Sequence, residues 1–188
     1  MEESINRRIG ARVRELRARL GLSLEAVAEK SGVSRSAISL IERAQTSPTA
    51  VVLDRLAAGL GVTLSALIEK PHAVGSPVSR RNQQTVWRDP ASGYVRRDLS
   101  PTGADLAFQL TQVNFPAGSH VAFANVSRGK PTPRHQQVWV LAGTIEVSVG
   151  QDVYTLRQGD CLALSLDRPT GFRNRSRSPA RYLVVVEA

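Results

Sequence analysis

The chain has 188 residues, 41% of them hydrophobic, enough to bury one sizeable core or two small ones. Lys and Arg number 25 against 16 Asp and Glu, and the formal charge of +9 favours a polyanionic partner, nucleic acid ahead of an anionic membrane surface. A single cysteine, Cys161, excludes an intramolecular disulfide, and no run, including the N-terminal MEESINRRIGARVREL, has the apolar length of a signal peptide or a membrane span, so a cytoplasmic location is expected.

Ile5, Ile9, Val13, Leu16 and Leu20 recur at helical spacing and predict a first helix with one buried stripe, its other faces carrying Arg7, Arg8, Arg12, Arg14 and Arg19. Ser23 is placed to cap a second helix in which Leu24, Val27 and Ala28 share a face. Gly32 suits a helix stop at positive φ, and Ser34 can cap a third helix immediately after it. In that helix Ala37, Ile38 and Ile41 face inward, which leaves Arg35, Ser36, Ser39, Leu40 and Arg43 outward. After Ala44 comes a loop, QTSPT, with Ser47 and Pro48 opening a fourth helix through Val51, Leu53, Leu56, Ala57 and Leu60. A fifth helix starts at Thr63 and turns Leu64, Leu67 and Ile68 inward.

Two short helices joined by Gly-Val-Ser cross sharply, and the outward face of the second suits the major groove of DNA. Small side chains permit close approach, and an Arg in the first turn can fork onto guanine. On these residues alone an ordinary helical hairpin with a solvated face stays open. The stretches IGARVRELRARLGLSLEAVAEKSGVS, SAISLIERA and SPTAVVLDRLAAGLGVTLSALI, from Ile5 to about Lys70, resemble the lambda-repressor-like helix-turn-helix domain of the XRE family of transcription regulators. The resemblance implies a five-helix reader of a double-stranded DNA operator, with contacts from Ser34, Arg35, Ser36, Ser39, Leu40 and Arg43 and, in the loop, Thr46 and Ser47. It also implies that Arg17 pairs with Glu42 to brace the first helix against the third. Many relatives carry Gln where this chain has Leu24 and Leu40, so its readout differs in detail.

Residues 71–84, PHAVGSPVSRRNQQ, lack apolar periodicity and read as a linker between a domain at 1–70 and another at 85–188, with His72 solvated. Beyond it the pattern changes to short strands: TVWRD, GYVRRDLS, LAFQLTQVNF, QVWVLAGTIEVSVG, VYTLRQGDCLALSL and ARYLVVVEA. Ile145, Val147 and Val149 alternate with Thr144, Glu146 and Ser148, as strands of a small antiparallel barrel or jelly roll do. Cys161 heads an apolar strand and is expected to be buried. Past Lys70 there are still fourteen Arg or Lys against eight Asp or Glu, so charge alone does not locate a DNA site.

VWVLAGTIEVSVGQDVYTLRQGDCLALSLDRPTGFRNRS followed by PARYLVVV resembles the cupin fold, a double-stranded β-helix or jelly-roll barrel, that forms the C-terminal sensor of many XRE-family regulators. Metal cupins hold their ion with three His and one Glu, at fixed offsets from two glycines. Counted from Gly143 and Gly159, those positions here are Lys130, Thr132, Gln136 and Thr170, none of which is the expected ligand. His135 lies beside the site and reads as a hydrogen-bonding wall residue, since one imidazole is a poor metal trap. No nucleophile stands beside a base in a recognisable motif, so no metal or other cofactor and no catalysis are expected. The emptied positions instead suggest an effector pocket of Lys130, Thr132, Arg134, His135, Gln136, Val138, Thr170 and Phe172. Its basic neighbours favour a small molecule with an anionic group. A homodimer is expected because one such reader covers one half-site. A cupin serving dimerisation alone, and a cryptic metal-dependent enzyme, remain as alternatives.

Overall fold

The computed structural model describes residues 2–68, 76–101, 106–124 and 134–187, and the chain divides into two compact units, Met1–Lys70 and Pro71–Ala188. The first unit is built from α1 (Glu2–Arg19), α2 (Leu24–Ser31), α3 (Arg35–Glu42), α4 (Ala50–Leu60) and α5 (Leu64–Ile68). Side-chain hydroxyls close four helix starts. Ser23 accepts from the Ala26 amide at 3.1 Å, Ser34 from Ala37 at 3.2 Å, Thr49 from Val52 at 3.4 Å and Thr63 from Ala66 at 3.2 Å. Each satisfies an amide its helix leaves without a partner, worth about 1 kcal/mol. The fourth helix therefore starts later than Ser47 and Pro48 suggest: Thr49 is its cap, and Pro48 is buried in the loop before it.

The apolar stripes meet in one core. Ile9, Val13 and Leu16 of α1, Val27 of α2, Ile38 and Ile41 of α3, and Leu53, Leu56 and Leu60 of α4 are buried, with Leu67 and Ile68 of α5 closing it. Each such side chain contributes about 1.5–3 kcal/mol of transfer free energy. Leu20 departs from the predicted stripe and is exposed, because α1 ends at Arg19 and the turn at Gly21 (φ 64°) carries the chain away. Gly32 stops α2 at φ 69°, as its position suggested. Gly10 does something the pattern did not announce: a Cβ on it would lie 2.3 Å from the Ile41 carbonyl oxygen, so α1 and α3 approach backbone to side with no room for a methyl group.

The second unit contains β1 (Val86–Arg88), β2 (Val95–Asp98), β3 (Phe108–Phe115), β4 (His120–Phe123), β5 (His135–Ala142), β6 (Thr144–Val149), β7 (Asp152–Arg157), β8 (Cys161–Ser165), β9 (Thr170–Arg173) and β10 (Ala180–Glu187). Strand β6 pairs with β7, β5 with β8, β4 with β9 and β3 with β10, all antiparallel. Nesting hairpin within hairpin and rolling the result is what makes a jelly roll. It gives one sheet in the order β1-β2-β3-β10-β5-β8 and another in the order β4-β9-β6-β7. Phe172 of the second sheet stacks on Tyr182 of the first with ring centroids 5.7 Å apart, and Phe115 continues the aromatic core at 6.3 Å from Tyr182. Burial there pushes the Tyr182 phenol well above its ordinary pKa.

Three features differ from the sequence reading. Strands β4 and β9 were not among the predicted ones; each is four residues long and turns only two side chains inward, Val121 with Phe123 and Thr170 with Phe172. Cys161 is exposed, not buried, because it lies opposite the exposed Trp139 on the outward face of β8, whose inward residue is Leu164. The end of the expected linker is also fastened: the Gln83 amide donates to the Arg80 carbonyl at 2.8 Å, and Arg97 of β2 donates to the Arg81 carbonyl at 3.3 Å. Residues 71–75, His72 among them, lie outside the described residues. Among the described residues no helix is long and apolar enough to cross a membrane.

Candidate nucleic-acid interface and barrel site

Eight residues of α3 make a rod about 12 Å long, matched to the width of a major groove. Its inward side is fixed by Ile38 and Ile41, so the remaining faces turn away from the core. Arg35, Ser36 and Arg43 are exposed, Leu40 is 39% exposed, and Ser39 is half-buried. Ser34 spends its oxygen on the cap and lies 3.2 Å from the Ser36 hydroxyl, while Arg43 Nε donates to the Ser39 carbonyl at 3.2 Å. Thr46 and Ser47 are exposed in the following loop. Asn6 of α1 donates to the Ser47 hydroxyl oxygen, which leaves that hydroxyl its own hydrogen to give away. All eight DNA-contact candidates thus lie on α3, its cap and the loop behind it.

Two supports for this face stand out. Arg17 of α1 grips Glu42 at the end of α3 with Nε to Oε1 at 2.7 Å and a second guanidinium nitrogen to Oε2 at 2.9 Å, and it also donates to the Leu22 carbonyl at 3.1 Å. The hydrogen bond to Glu42 holds the Arg17 pKa above its ordinary value, against the opposing effect of burial. The second support was missed by the sequence reading: Glu25 of α2 lies 3.2 Å from Arg35 Nε, with both side chains largely in water. Glu25 is the second residue of α2, ten positions before Arg35, and only the crossing of the two helices brings them together. Arg7 and Arg14 of α1 line an open groove together with Arg43, with Glu15 and Glu42 among them.

In the second unit, Gln136 and Val138 alternate inward along β5, and Thr170 and Phe172 do the same on β9 of the facing sheet; Val138, Thr170 and Phe172 are all buried. These four candidates line the two inner surfaces of the roll. His135 does not join them. It has the opposite parity on β5, is exposed, and is tied to Glu187: its amide donates to Oε2 at 2.8 Å and its Nδ1 lies 3.2 Å from the same oxygen. The expectation of a wall residue is corrected by strand alternation alone. The His135 amide hydrogen bond, followed by the imidazole contact, holds the Glu187 carboxyl below its ordinary pKa. Arg134 is half-buried with its carbonyl taken by the Leu166 amide at 2.8 Å, and Lys130 and Thr132 lie outside the described residues. An inward amide and a buried hydroxyl, with the neighbouring imidazole turned outward, do not fit a divalent metal of the cupin type.

One polar cluster inside the roll had no forerunner in the sequence reading. Arg96 donates through Nε to Asp98 at 3.0 Å and through a terminal nitrogen to the Thr111 hydroxyl at 2.9 Å, while Thr111 donates to Asp98 at 3.2 Å. The opposite charges of Arg96 and Asp98 thus pair through one carboxylate oxygen, as buried charges must find a partner.

The helical unit and the roll define a class of protein: a helix-turn-helix DNA reader joined to a cupin. Residues 13–67 match the family model described as helix-turn-helix, and residues 115–186 match that described as cupin domain. The transcriptional regulator SutR of Escherichia coli is 27% identical over 182 residues, 96% of this chain and 94% of the relative. The Escherichia coli transcriptional regulator PuuR is also 27% identical, over 93% of this chain and 91% of its own length. The crystal structure of an HTH_3-family transcriptional regulator from Vibrio cholerae covers 100% of this chain and 99% of its own with a TM-score of 0.80, at 24% identity, which supports the fold. The chain carries an XRE-type helix-turn-helix domain and a C-terminal cupin domain, and over its length it resembles transcriptional regulators.

Proposed function

We propose that this regulator binds a specific operator as a homodimer, with α3 in the major groove, and that its cupin binds a small effector without catalysing a reaction. The observation that carries the reading is the outward face of α3, where Arg35 and small hydroxyl side chains stand exposed on a helix fixed from behind by Ile38, Ile41 and the Arg17–Glu42 pair. Arg35 is assigned a base, and Arg43, Thr46 and Ser47 are assigned phosphate contacts. Repression is the simplest sign, by occupying DNA that transcription needs. The cytoplasm is the matching location.

For the cupin, the residue types support sensing over chemistry. Gln136 and Thr170, with Lys130 and Thr132 earlier in the sequence, replace the ligands that metal-dependent oxidation requires. Apolar walls with a few convergent hydrogen-bonding groups make a small-molecule pocket, and Arg134 at its margin favours an anionic group. The test has two arms. Selection of DNA from a random pool by the full-length protein should enrich a pseudo-palindrome with half-sites about one helical turn apart, and enrichment of nothing would reject operator reading. Mass spectrometry of the molecules released on denaturing the purified protein should reveal a stoichiometric effector. Gln136→Leu and Thr170→Leu should then lose the effector response while keeping effector-free operator affinity; an unchanged response in both would reject the pocket.

A further inference from the structure

The outward face of the six-stranded sheet has an order of its own. Its residues stack in cross-strand rows, and the row at one end holds Arg181 and Arg88, joined through Asn114 and Val95. Along β10 the next outward residues are Leu183 and Val185, and the last is Glu187. Leu183 lies between Trp139 and Gln112, and Val185 between Gln137 and Leu110. Trp139 is 47% exposed in the middle of this face, and Phe108, opposite Glu187, is 57% exposed. Apart from Gln112, Gln137 and Arg97 the face is apolar across its centre; it is basic at one end and carries at the other the Glu187 carboxylate, which also meets His135.

We propose that this face packs against the same face of a second copy of the chain, about a two-fold axis that lies between the sheets and crosses β10 at right angles near Val184. The proposal rests on the reading of the chain as a regulator that needs two readers. A two-fold interface must be self-complementary, and the order of residues along β10 meets that demand for this axis. Reversing β10 over its copy sets Arg181 against Glu187 of the second molecule, twice, and Leu183 against Val185. An axis parallel to β10 would instead set Arg181 against Arg181, and like charges facing each other disfavour it. Six strands at about 4.8 Å spacing and about 20 Å of strand length give a flat area of about 500 Å². Its corrugated accessible surface approaches the ~800 Å² per partner of a standard stable interface.

Sedimentation velocity on the full-length chain tests this. The wild type should be dimeric at micromolar concentration. Leu183→Glu and Gln137→Arg should each raise the dimer dissociation constant at least tenfold; Gln137 is already exposed and polar, so the second variant does not put folding at risk. Arg181→Glu and Glu187→Arg should each weaken the dimer, and the two together should restore it, because the swap recreates both contacts. A monomeric wild type, dimers unaffected by Leu183→Glu and Gln137→Arg, or a double reversal no better than its singles would overturn the interface. The outcomes separate it from the regulator reading: an operator selected by a protein whose Leu183→Glu variant stays dimeric refutes only the interface. Expected assembly without any selected operator refutes only the regulator.

Discussion

Arg17 and Glu42 meet in a two-pronged ion pair, 2.7 and 2.9 Å, that joins the first helix to the last residue of α3, the helix proposed to face DNA. The Glu42 side chain is 8% exposed and that of Arg17 20%, so neither charge is at ease in water if its partner is removed. Arg17→Ala or Glu42→Ala should cost about 2 to 4 kcal/mol, near the lower part of the range for breaking a buried pair because Arg17 keeps some solvent. The double variant should recover part of that cost. Urea denaturation of the four proteins measures the coupling, and strict additivity would show that the pair contributes nothing as a pair.

In the proposed complex Glu25 would compete with DNA for Arg35. Removing it by Glu25→Gln frees the guanidinium and deletes a negative charge beside the groove-facing helix, so DNA affinity should rise by a few-fold at low salt, and less at high salt. Arg35→Ala should act in the other direction, losing about 1 to 3 kcal/mol on the operator and much less on random DNA, with relaxed preference at one base pair. Fluorescence anisotropy on both DNAs at two salt concentrations reads both effects. Equal losses on operator and random DNA would demote Arg35 to a phosphate contact.

Gly10 sets how closely α1 and α3 pack. Since a Cβ would fall 2.3 Å from a backbone oxygen that no side-chain rotation can move, Gly10→Ala must push the helices apart. A loss of about 2 to 3 kcal/mol is expected, the upper part of the range for overpacking. Operator affinity should fall too, because the displaced element is α3. A calorimetric melt and a binding isotherm check the two, and a variant with wild-type melting temperature would refute the close approach.

Glu187 offers a pH test. Its folded pKa is depressed, so it contributes stability above its unfolded pKa that is lost as pH falls through the folded value, in the acid range below the ordinary carboxylate pKa of 4.5. The stability difference between wild type and Glu187→Gln should therefore shrink on acidification. The largest cause is a hydrogen bond from the His135 backbone, which survives substitution of the ring, so His135→Ala should keep most of the depression. NMR titration of Glu187 in both proteins decides; a return to the ordinary value in His135→Ala would place the effect in the imidazole.

Helix starts were legible in the sequence because hydroxyl caps act within three residues: Ser23 and Ser34 announced α2 and α3. The fourth start slipped because Ser47, Pro48 and Thr49 are all plausible openers, and only the bond to Val52 selects Thr49. Inward positions on long strands were legible by alternation, as with Ile145 and Val147, whereas β4 and β9 are too short to show a period. Of the site residues, those on one helix face came together as expected. His135 failed because adjacency in sequence means opposite faces on a strand, and Cys161 failed because an apolar run does not say which of its faces is wet. Glu25 with Arg35, and Thr111 with the Arg96–Asp98 pair of β2, depend on where separate elements meet, which composition does not encode.

The contact at Gly10 has a mechanical meaning. With the Ile41 carbonyl of α3 seated directly on the surface of α1 at Gly10 and the adjacent Glu42 clamped by Arg17, the C-terminal end of α3 is pinned to α1 at two neighbouring points. The reader arrives at DNA as a single solid die. In the proposed dimer, a signal that changes how firmly it prints would act on the distance or angle between two such dies.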